Sequence, residues 1–256
     1  MIFAPNLFAG KVVLVTGAGG GVGAATARLL HSLGATLALT DNNAKSLYAT
    51  ATPLKATSML ADITSVMACE EIIARTLQKH GRLDALVNAA GVWTEGETAT
   101  ATEADWTRCI DTNLKATFFM CARAIPALSE TRGAIVNLSS DAGITGNAGA
   151  AIYSASKGGV TLLTKSLARE LAPLGIRVNA LCPSDIDTPM LANQAKASGD
   201  AQAYTDRLLS LYPQGAAARF LTPDEVASQI AYLLSPAAAG ITGSAVLMDF
   251  GLTAGY

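Results

Sequence analysis

The stretch Lys11-Val-Val-Leu-Val-Thr-Gly-Ala-Gly-Gly-Gly-Val-Gly23 decides the fold of this 256-residue chain. Its first six residues are mostly β-branched, which predicts a buried strand, and the alanine-rich pattern after the glycines predicts a helix that ends at Gly34. Glycines let the backbone approach a pyrophosphate, and a helix N-terminus stabilises the charge of that group. The stretch therefore predicts a dinucleotide-binding turn.

The glycine spacing, Gly17-x-x-x-Gly21-x-Gly23, is weak evidence alone, because a glycine-rich chain produces such triples by chance. Its position directly after the first predicted strand makes it strong. Asp41 ends the second predicted strand, about twenty residues further on. A carboxylate there can accept hydrogen bonds from both adenosine ribose hydroxyls and repels a 2′-phosphate, so we expect NAD rather than NADP. The alternative is that Asp41 only caps the following helix.

Strand-like and helical patterns alternate along the chain, and no boundary between domains is visible. The predicted strands are 11–16, 35–40, 57–61, 83–87, 133–138, 175–183 and 244–249. The alternation predicts an α/β fold, a single-domain Rossmann-like, doubly wound parallel sheet with helices on both faces. We expect about seven strands in the order 3-2-1-4-5-6-7, with ligands at the carboxyl edge of the sheet.

The segment 184–219 loses this alternation and mixes glycine, alanine and polar residues with scattered large apolar ones. A long irregular insertion at the carboxyl edge of a parallel sheet is typically a lid or a substrate loop. We therefore predict a substrate lid at about 184–219. A capping box at Thr222-Pro-Asp-Glu225 then predicts the start of the next helix.

The segment Tyr153-Ser-Ala-Ser-Lys157 follows a predicted strand that ends in Ser139-Ser140. Tyr153 and Lys157 lie four residues apart in a helical pattern, so they share one face, a turn apart. A phenol that titrates near 10 can act as a base at neutral pH only if its anion is favoured, which a neighbouring ammonium group does. The alternative is an ordinary packed aromatic residue beside a solvated lysine. The preceding strand that ends in two serines favours a catalytic role for the pair instead.

Composition excludes several classes of protein. A net charge of −2 without a basic stripe argues against a nucleic-acid partner. No segment has about 18 uninterrupted apolar residues, and the N-terminus lacks a basic region and a cleavage site, so we expect no membrane insertion and a cytoplasmic protein. The four cysteines show no metal-binding spacing, and His31 and His80 lie near predicted helix C-termini, so we predict no metal site.

Charged residues make up only 15% of the chain, against about 25% in an average soluble domain. The predicted helix 114–125 is apolar on nearly every face, so it needs cover on both sides. Both observations predict a homo-oligomer. Asn113 precedes this run, and an amide there is either a structural tie or part of a site.

In these motifs the chain resembles the short-chain dehydrogenase/reductase family, in its compact classical form, from about Lys11 to Gly251. The motifs that carry the resemblance are Thr16-Gly-Ala-Gly-Gly-Gly-Val-Gly23, Asp62-Ile63, Asn88-Ala-Ala-Gly91, Asn113, Ser140, Tyr153-x-x-x-Lys157, Asn179 and Pro183. The resemblance implies a nicotinamide-dependent oxidoreductase and points to a tetramer.

The resemblance also implies the catalytic roles. Tyr153 would be the acid/base on the substrate oxygen, and Ser140, thirteen residues before it, would hydrogen-bond that oxygen in preference to Ser139. Lys157 would bind the nicotinamide ribose and lower the tyrosine pKa. Asn113 would hold a water in a proton relay behind the lysine.

The cofactor would contact the glycine turn, the ends of the strands and the catalytic helix. The expected contacts are Gly17, Gly19, Gly20, Gly21, Val22, Gly23, Asp41, Asn42, Asp62, Ile63, Asn88, Ala89, Gly91, Tyr153, Lys157, Pro183, Ser184, Ile186 and Thr188. Three motifs depart from the family pattern. The usual Asn-Asn-Ala-Gly, Pro-Gly and Asp-Gly-Gly are here Asn88-Ala-Ala-Gly91, Pro183-Ser184 and Asp249-Phe-Gly251.

Substrate residues are less constrained. We expect an apolar pocket suited to a hydrophobic or cyclic alcohol, and the alternative for each apolar residue is core or lid packing. The candidates are Trp93, Ser140, Ile144, Met190, Leu191 and Tyr204.

The leading hypothesis is reversible hydride transfer between a secondary alcohol and NAD, with the Tyr153 anion accepting the hydroxyl proton. The first alternative is a 3-oxoacyl thioester reductase, which Asp41 disfavours if that activity requires NADPH. The second is a dinucleotide-binding regulator without turnover. The presence of Ser140, Tyr153, Lys157 and Asn113 together disfavours the regulator.

Overall fold

Seven parallel strands form one sheet in this computed structural model, which describes residues 3–254. The strand order is β3-β2-β1-β4-β5-β6-β7, as predicted. The strands are β1 (Val12–Thr16), β2 (Thr36–Asp41), β3 (Thr57–Leu60), β4 (Ala85–Asn88), β5 (Ala134–Leu138), β6 (Arg177–Pro183) and β7 (Ala245–Met248).

Nine α-helices connect and cover these strands within residues 3–254. They are α1 (Gly21–Ser32), α2 (Ala44–Ala51), α3 (Val66–His80), α4 (Glu103–Ile110), α5 (Ala116–Thr131), α6 (Ala151–Leu171), α7 (Pro189–Ala197), α8 (Ala201–Leu209) and α9 (Pro223–Leu234). The predicted capping box begins α9, with Thr222 and Glu225 each accepting the other's backbone N–H. None of the helices in this range combines the length and apolar character that crossing a bilayer requires.

Successive residues of the strands point into two separate cores, because side chains alternate across a sheet. Val13 and Val15 of β1 pack with residues of α1, α2 and α9. Leu14, between them, packs on the other face with residues of α3, α5 and α6. The sheet is therefore covered on both faces, which confirms the predicted doubly wound architecture.

The register brings the carboxyl ends of the central strands to one level. Thr16 at the end of β1 pairs with Asn88 of β4, and Asn88 pairs with Asn137 of β5. The segments that follow these strands are the glycine turn, the turn after Asn88 and the Ser139-Ser140 pair. All three segments consequently meet at one edge of the sheet.

The segment 184–219 is more regular than the sequence analysis predicted, since it contains α7 and α8. These two short helices pack on each other through Leu191, Ala195 and Tyr204, which form a small cluster separate from the two main cores. Because neither helix lies on the sheet, its apolar residues are too few to give a long periodic pattern. The role of the segment as a lid stays a prediction.

Candidate active site

A cavity of about 1100 Å³ runs along the carboxyl edge of the sheet. Its walls come from the glycine turn, the ends of β2, β4, β5 and β6, the first turns of α6, and α7 and α8. Ordinary ligand sites have volumes of about 300–1,000 Å³, so this cavity has room for a large ligand and a small one together. Ser140, Tyr153 and Lys157 all line it.

The two serines after β5 have different roles in the structure. The Ser139 hydroxyl donates to the backbone oxygen of Lys157 at 2.9 Å and is hydrogen-bonded to Thr161 at 2.7 Å, so it ties β5 to α6. Ser140 faces the cavity and donates to Asp141 Oδ1 at 2.7 Å. The geometry thus agrees with the choice of Ser140 over Ser139.

Tyr153 and Lys157 lie one turn apart on α6, as their spacing predicts. The Lys157 ammonium donates to the backbone oxygen of Leu138 at 2.7 Å and lies 5.8 Å from the centre of the Tyr153 ring. The Trp93 ring packs against the Tyr153 ring, with 4.4 Å between ring centres and an angle of 57° between their planes. One aromatic ring, that of Trp93, and the buried Lys157 ammonium therefore lie beside the phenol at the cavity wall.

The surroundings of Tyr153 raise the pKa of its hydroxyl. Burial raises the pKa of Tyr153 well above its usual value, and the negative charges of Asp141 and Asp185 raise it further, while a hydrogen bond with Ser140 lowers it. Burial also lowers the pKa of Lys157 to about 8. Desolvation is the largest effect on the Tyr153 pKa and opposes the anion. The lowering of this pKa by Lys157, which the resemblance implies, stays a prediction.

Asn113 lies in a single π-helical turn, Asp111–Lys115, between α4 and α5. Its side-chain oxygen accepts the Val92 N–H at 2.8 Å, and its amide donates to the Val92 oxygen at 2.9 Å and to Ser156 at 3.0 Å. A Cβ placed on Gly91 would lie 3.3 Å from Asn113 Oδ1 and 3.5 Å from Lys157 Nζ. Asn113 is therefore a structural tie that also lies near Lys157, so the two alternatives are compatible.

The opposite end of the cavity suits a dinucleotide. No side chain caps the N-terminus of α1 at Gly20, and its first turn has no acidic residue, so its backbone N–H groups are available to a pyrophosphate. Asp41 accepts the N–H groups of Gly19 and Asn43, each at 2.9 Å. An ionised carboxylate has about four acceptor sites, so both ribose hydroxyls can still donate to it. The residues present thus fit the cofactor that the sequence predicts.

Comparison with known proteins agrees with this geometry. A family model described as enoyl-(acyl carrier protein) reductase matches residues 17–253. A 3-oxoacyl-(acyl-carrier-protein) reductase of Thermotoga maritima is 37% identical over 249 residues, which are 95% of this chain and 98% of the relative. The chain belongs to the short-chain dehydrogenase/reductase family. It is therefore an oxidoreductase that acts on CH–OH or keto groups.

Two further members of the short-chain dehydrogenase/reductase family show the range of relatives. A meso-2,3-butanediol dehydrogenase of Serratia marcescens is 35% identical over 250 residues, 96% of each chain. A solved structure of an actinorhodin polyketide ketoreductase variant with NADPH is 35% identical, covers 98% of this chain and 99% of that one, and superposes with a TM-score of 0.89.

Most of the residues that this family resemblance singled out do line the cavity. Besides Ser140, Tyr153 and Lys157, they are Gly17, Gly20, Gly21, Val22, Asp41, Asn42, Asp62, Ile63, Ala89, Gly91, Trp93, Pro183, Ser184, Ile186, Thr188, Met190, Leu191 and Tyr204. Their roles toward cofactor and substrate stay predictions.

Five predicted site residues lie away from the cavity wall: Asn113, described above, and Asn88, Gly19, Gly23 and Ile144. The Asn88 amide is buried behind it and donates to Asn137 at 2.9 Å. Gly19 faces Asp41, and Gly23 faces the Gly17 carbonyl, so both serve the shape of the turn. Ile144 is 44% exposed and does not line the cavity. Thr145 and Gly146, directly after it, do line the cavity, so a contact between Ile144 and substrate stays a prediction.

Sequence reasoning missed several charged residues that line the cavity in this oxidoreductase. Asp141 and Asp185 follow the ends of β5 and β6, while Glu95 and Arg207 come from the β4–α4 connection and α8. The sequence contains a signal for the two aspartates, since Asp141 directly follows Ser140 and Asp185 follows the atypical Pro183-Ser184 pair. The substrate side of the cavity is consequently more polar than we expected.

Proposed function

We propose that this oxidoreductase interconverts a secondary alcohol and a ketone with NAD as cofactor and Tyr153 as the acid/base. One observation carries the proposal. Ser140, Tyr153 and Lys157 line the same cavity, and the same cavity extends to Asp41 at the end of β2. A reacting carbinol and a dinucleotide can therefore occupy adjoining parts of one space.

The residues divide the chemistry between them. In alcohol oxidation, Tyr153 as its anion accepts the hydroxyl proton of the substrate, and Ser140 orients the same oxygen. Bound NAD would supply the positively charged ring that accepts the hydride. Lys157, buried and held by the Leu138 oxygen, provides positive charge near the phenol that favours its anion. In the reverse direction Tyr153 returns the proton to the ketone oxygen.

The preference for NAD rests on Asp41. Its carboxylate is fixed by two backbone N–H groups at the edge of the cavity, where a 2′-phosphate would meet a negative charge without a compensating cation on Asn42 or Asn43. The family includes a solved ketoreductase with NADPH, so the family alone does not decide the cofactor. We expect kcat/KM with NADH to exceed that with NADPH at least about tenfold. This ratio corresponds to a difference of roughly 1.4 kcal/mol in free energy.

A second candidate is reduction of a 3-oxoacyl thioester. It is favoured by the Thermotoga maritima relative, which is named for that activity. The carboxylates Asp141, Asp185 and Glu95 around the substrate side disfavour an anionic carrier arm at this place. The two functions predict different best substrates, so one panel of assays separates them.

The deciding experiment is a steady-state assay of the purified protein with secondary alcohols, ketones and a short 3-oxoacyl thioester. Each substrate is tested with NAD(H) and with NADP(H). Turnover of alcohols and ketones with NAD(H) supports the leading proposal. Thioester reduction with NADPH as the best pair supports the second candidate, and absence of turnover with every pair contradicts both.

The shape of the substrate side supports a compact or cyclic skeleton. Trp93, Met190 and Leu191 contribute apolar walls to the cavity. The charged residues there require, in addition, a polar group on the substrate. The predicted hydrophobic character therefore applies to part of the substrate only.

A further inference from the structure

Two aspartates reach the substrate side of the cavity from neighbouring strands. Asp141 follows β5, and its Oδ1 atom accepts the Ser140 hydroxyl at 2.7 Å and the Ala142 N–H at 2.8 Å. Asp185 follows β6, and its Oδ2 atom accepts the Tyr212 hydroxyl at 3.0 Å. Each carboxylate is thus fixed by one of its two oxygens.

The second oxygen of each carboxylate has no neighbouring donor. Within residues 3–254, no other residue hydrogen-bonds to Asp141 Oδ2 or to Asp185 Oδ1, and no lysine or arginine forms an ion pair with either residue. Asp141 is only 8% exposed. Asp185 is half-buried, and both carboxylates line the cavity. A poorly hydrated carboxylate is stabilised by a hydrogen-bond donor or a cation, so a ligand that supplies a donor would stabilise both.

The pKa values of both carboxyl groups reflect the cost of removing them from water. Burial raises the pKa of Asp141, and it raises the pKa of Asp185 to about 6; the charge of Asp141 contributes to the latter shift. Both carboxylates line the same cavity as Tyr153, and their negative charges raise its pKa. A donor supplied by the substrate would relieve this repulsion.

We propose that Asp141 and Asp185 bind an O–H or N–H donor on the carbon next to the reacting carbinol, so that vicinal diols or β-amino alcohols are preferred over simple secondary alcohols. This inference rests on the proposed function and narrows its substrate class. The donor lies next to the carbinol because Asp141 is one hydrogen bond away from Ser140, which orients the reacting oxygen.

A metal ion is a poorer explanation for the two carboxylates. Among the residues that the structure describes, no group of three or more histidine, cysteine, aspartate or glutamate side chains is arranged to hold one. An apolar substrate is also a poorer occupant, because it would bury both carboxylates without a partner.

The test compares three probes with one skeleton: cyclohexanol, trans-1,2-cyclohexanediol and trans-2-aminocyclohexanol, each with NAD and with NADP. For the wild-type protein, we expect kcat/KM for the diol or the amino alcohol to exceed that for cyclohexanol by about 10- to 100-fold, the range of a charged hydrogen bond. Preference for the diol identifies a hydroxyl ligand, and preference for the amino alcohol identifies an ammonium ligand. This comparison needs no substitution.

Two variants locate the effect. Asp185→Asn and Asp141→Asn are expected to lower the ratio of kcat/KM between the preferred probe and cyclohexanol about tenfold, mainly through KM, because the amide loses the charged acceptor. Asp187→Asn is the matched control, since Asp187 is exposed in the same loop and outside the cavity, and it should leave the ratio unchanged. Thermal unfolding of each variant verifies its fold.

The outcomes separate the inference from the proposed function. Equal kcat/KM for all three probes in the wild-type protein overturns the inference and leaves the proposed function standing. A ratio that survives in both Asp141→Asn and Asp185→Asn also overturns it. Absence of turnover with every probe and both cofactors overturns the proposed function and the inference together.

Discussion

At the scale of single residues, Tyr153, the proposed acid/base, lies in an environment that opposes its ionisation. Burial and the carboxylates Asp141 and Asp185 raise the pKa of Tyr153, while Ser140 lowers it by hydrogen bonding. The buried ammonium of Lys157 lies 5.8 Å from the ring centre and donates to the Leu138 backbone oxygen. The acid/base function of Tyr153 consequently depends on the balance between these carboxylates and the positive charges near them.

Replacement of Tyr153 by phenylalanine tests the acid/base assignment. We expect Tyr153→Phe to lower kcat by about 10²- to 10⁴-fold, the usual contribution of a positioned acid/base, because no other group can take the proton at this position. Cofactor affinity is measured in parallel by quenching of protein fluorescence. Tyr48→Phe, an exposed tyrosine on α2, is the control and should keep wild-type turnover. A Tyr153→Phe protein with wild-type kcat would refute the assignment.

The pH dependence tests the influence of Asp141. Alcohol oxidation requires ionised Tyr153, so its rate rises as the pH passes through the Tyr153 pKa. Because the negative charge of Asp141 raises this pKa, Asp141→Asn should lower it and move the rising limb of kcat/KM to lower pH.

The asparagine can still accept the Ser140 hydroxyl, so the expected shift reports charge rather than lost geometry. The side chain of residue 187 lies outside the cavity. The rising limb of the pH profile of kcat/KM for Asp187→Asn should therefore coincide with that of the wild type. A limb that stays in place or moves to higher pH in Asp141→Asn would contradict the electrostatic interpretation.

At the scale of elements, the glycines in the turn between β1 and α1 have different structural roles. A Cβ on Gly23 would collide with the Gly17 carbonyl oxygen and lie 2.7 Å from the Gly17 carbonyl carbon. Gly20, three residues earlier, has an extended backbone with φ of −163°, and a Cβ there would meet nothing within 4 Å. Gly23 thus closes the turn, whereas Gly20 leaves the entrance to the cofactor space open.

This difference predicts the stability of two alanine variants. Gly23→Ala should lower the free energy of unfolding by about 1–3 kcal/mol, because the backbone of the turn must move to accommodate the methyl group. Gly20→Ala is sterically free and should unfold within about 0.5 kcal/mol of the wild type. Urea denaturation followed by circular dichroism measures both. Equal unfolding midpoints would show that the turn tolerates the collision.

At the scale of the whole molecule, apolar side chains remain exposed on the α4–α5 side. Trp106 of α4 is 51% exposed and Phe118 of α5 is 43% exposed. We propose that a second copy of the chain covers this surface in a homotetramer, as the low charge and the apolar run at 114–125 predict.

Light scattering at micromolar concentration tests this proposal. The expected mass is about four times 26.2 kDa. Phe118→Glu should lower the mass, since a buried charge disfavours association. Met67→Glu, which changes a single apolar residue that is 82% exposed on α3, should not. A wild-type protein that scatters as a 26.2 kDa monomer would contradict the proposal.

Sequence and structure agree most closely where local patterns carry the information. Most strands of the parallel sheet are short apolar runs, and each strand is followed at its carboxyl end by residues that must meet at one edge. For this reason the strand order, the dinucleotide turn and the proximity of Ser140, Tyr153 and Lys157 were predictable. The helix spacing of Tyr153 and Lys157 is a local property of the chain.

What only the tertiary structure decided is the environment of those residues. Asp141 and Asp185 are 44 positions apart in sequence, yet they enter one cavity because β5 and β6 are neighbours in the sheet. The folding of 184–219 into α7 and α8 likewise depends on packing between the two helices. Local sequence fixes which residues end a strand or share a helix face. Burial and electrostatic repulsion arise from groups that only the fold brings together, so the pKa of Tyr153 and the polarity of the substrate side could not be predicted from spacing.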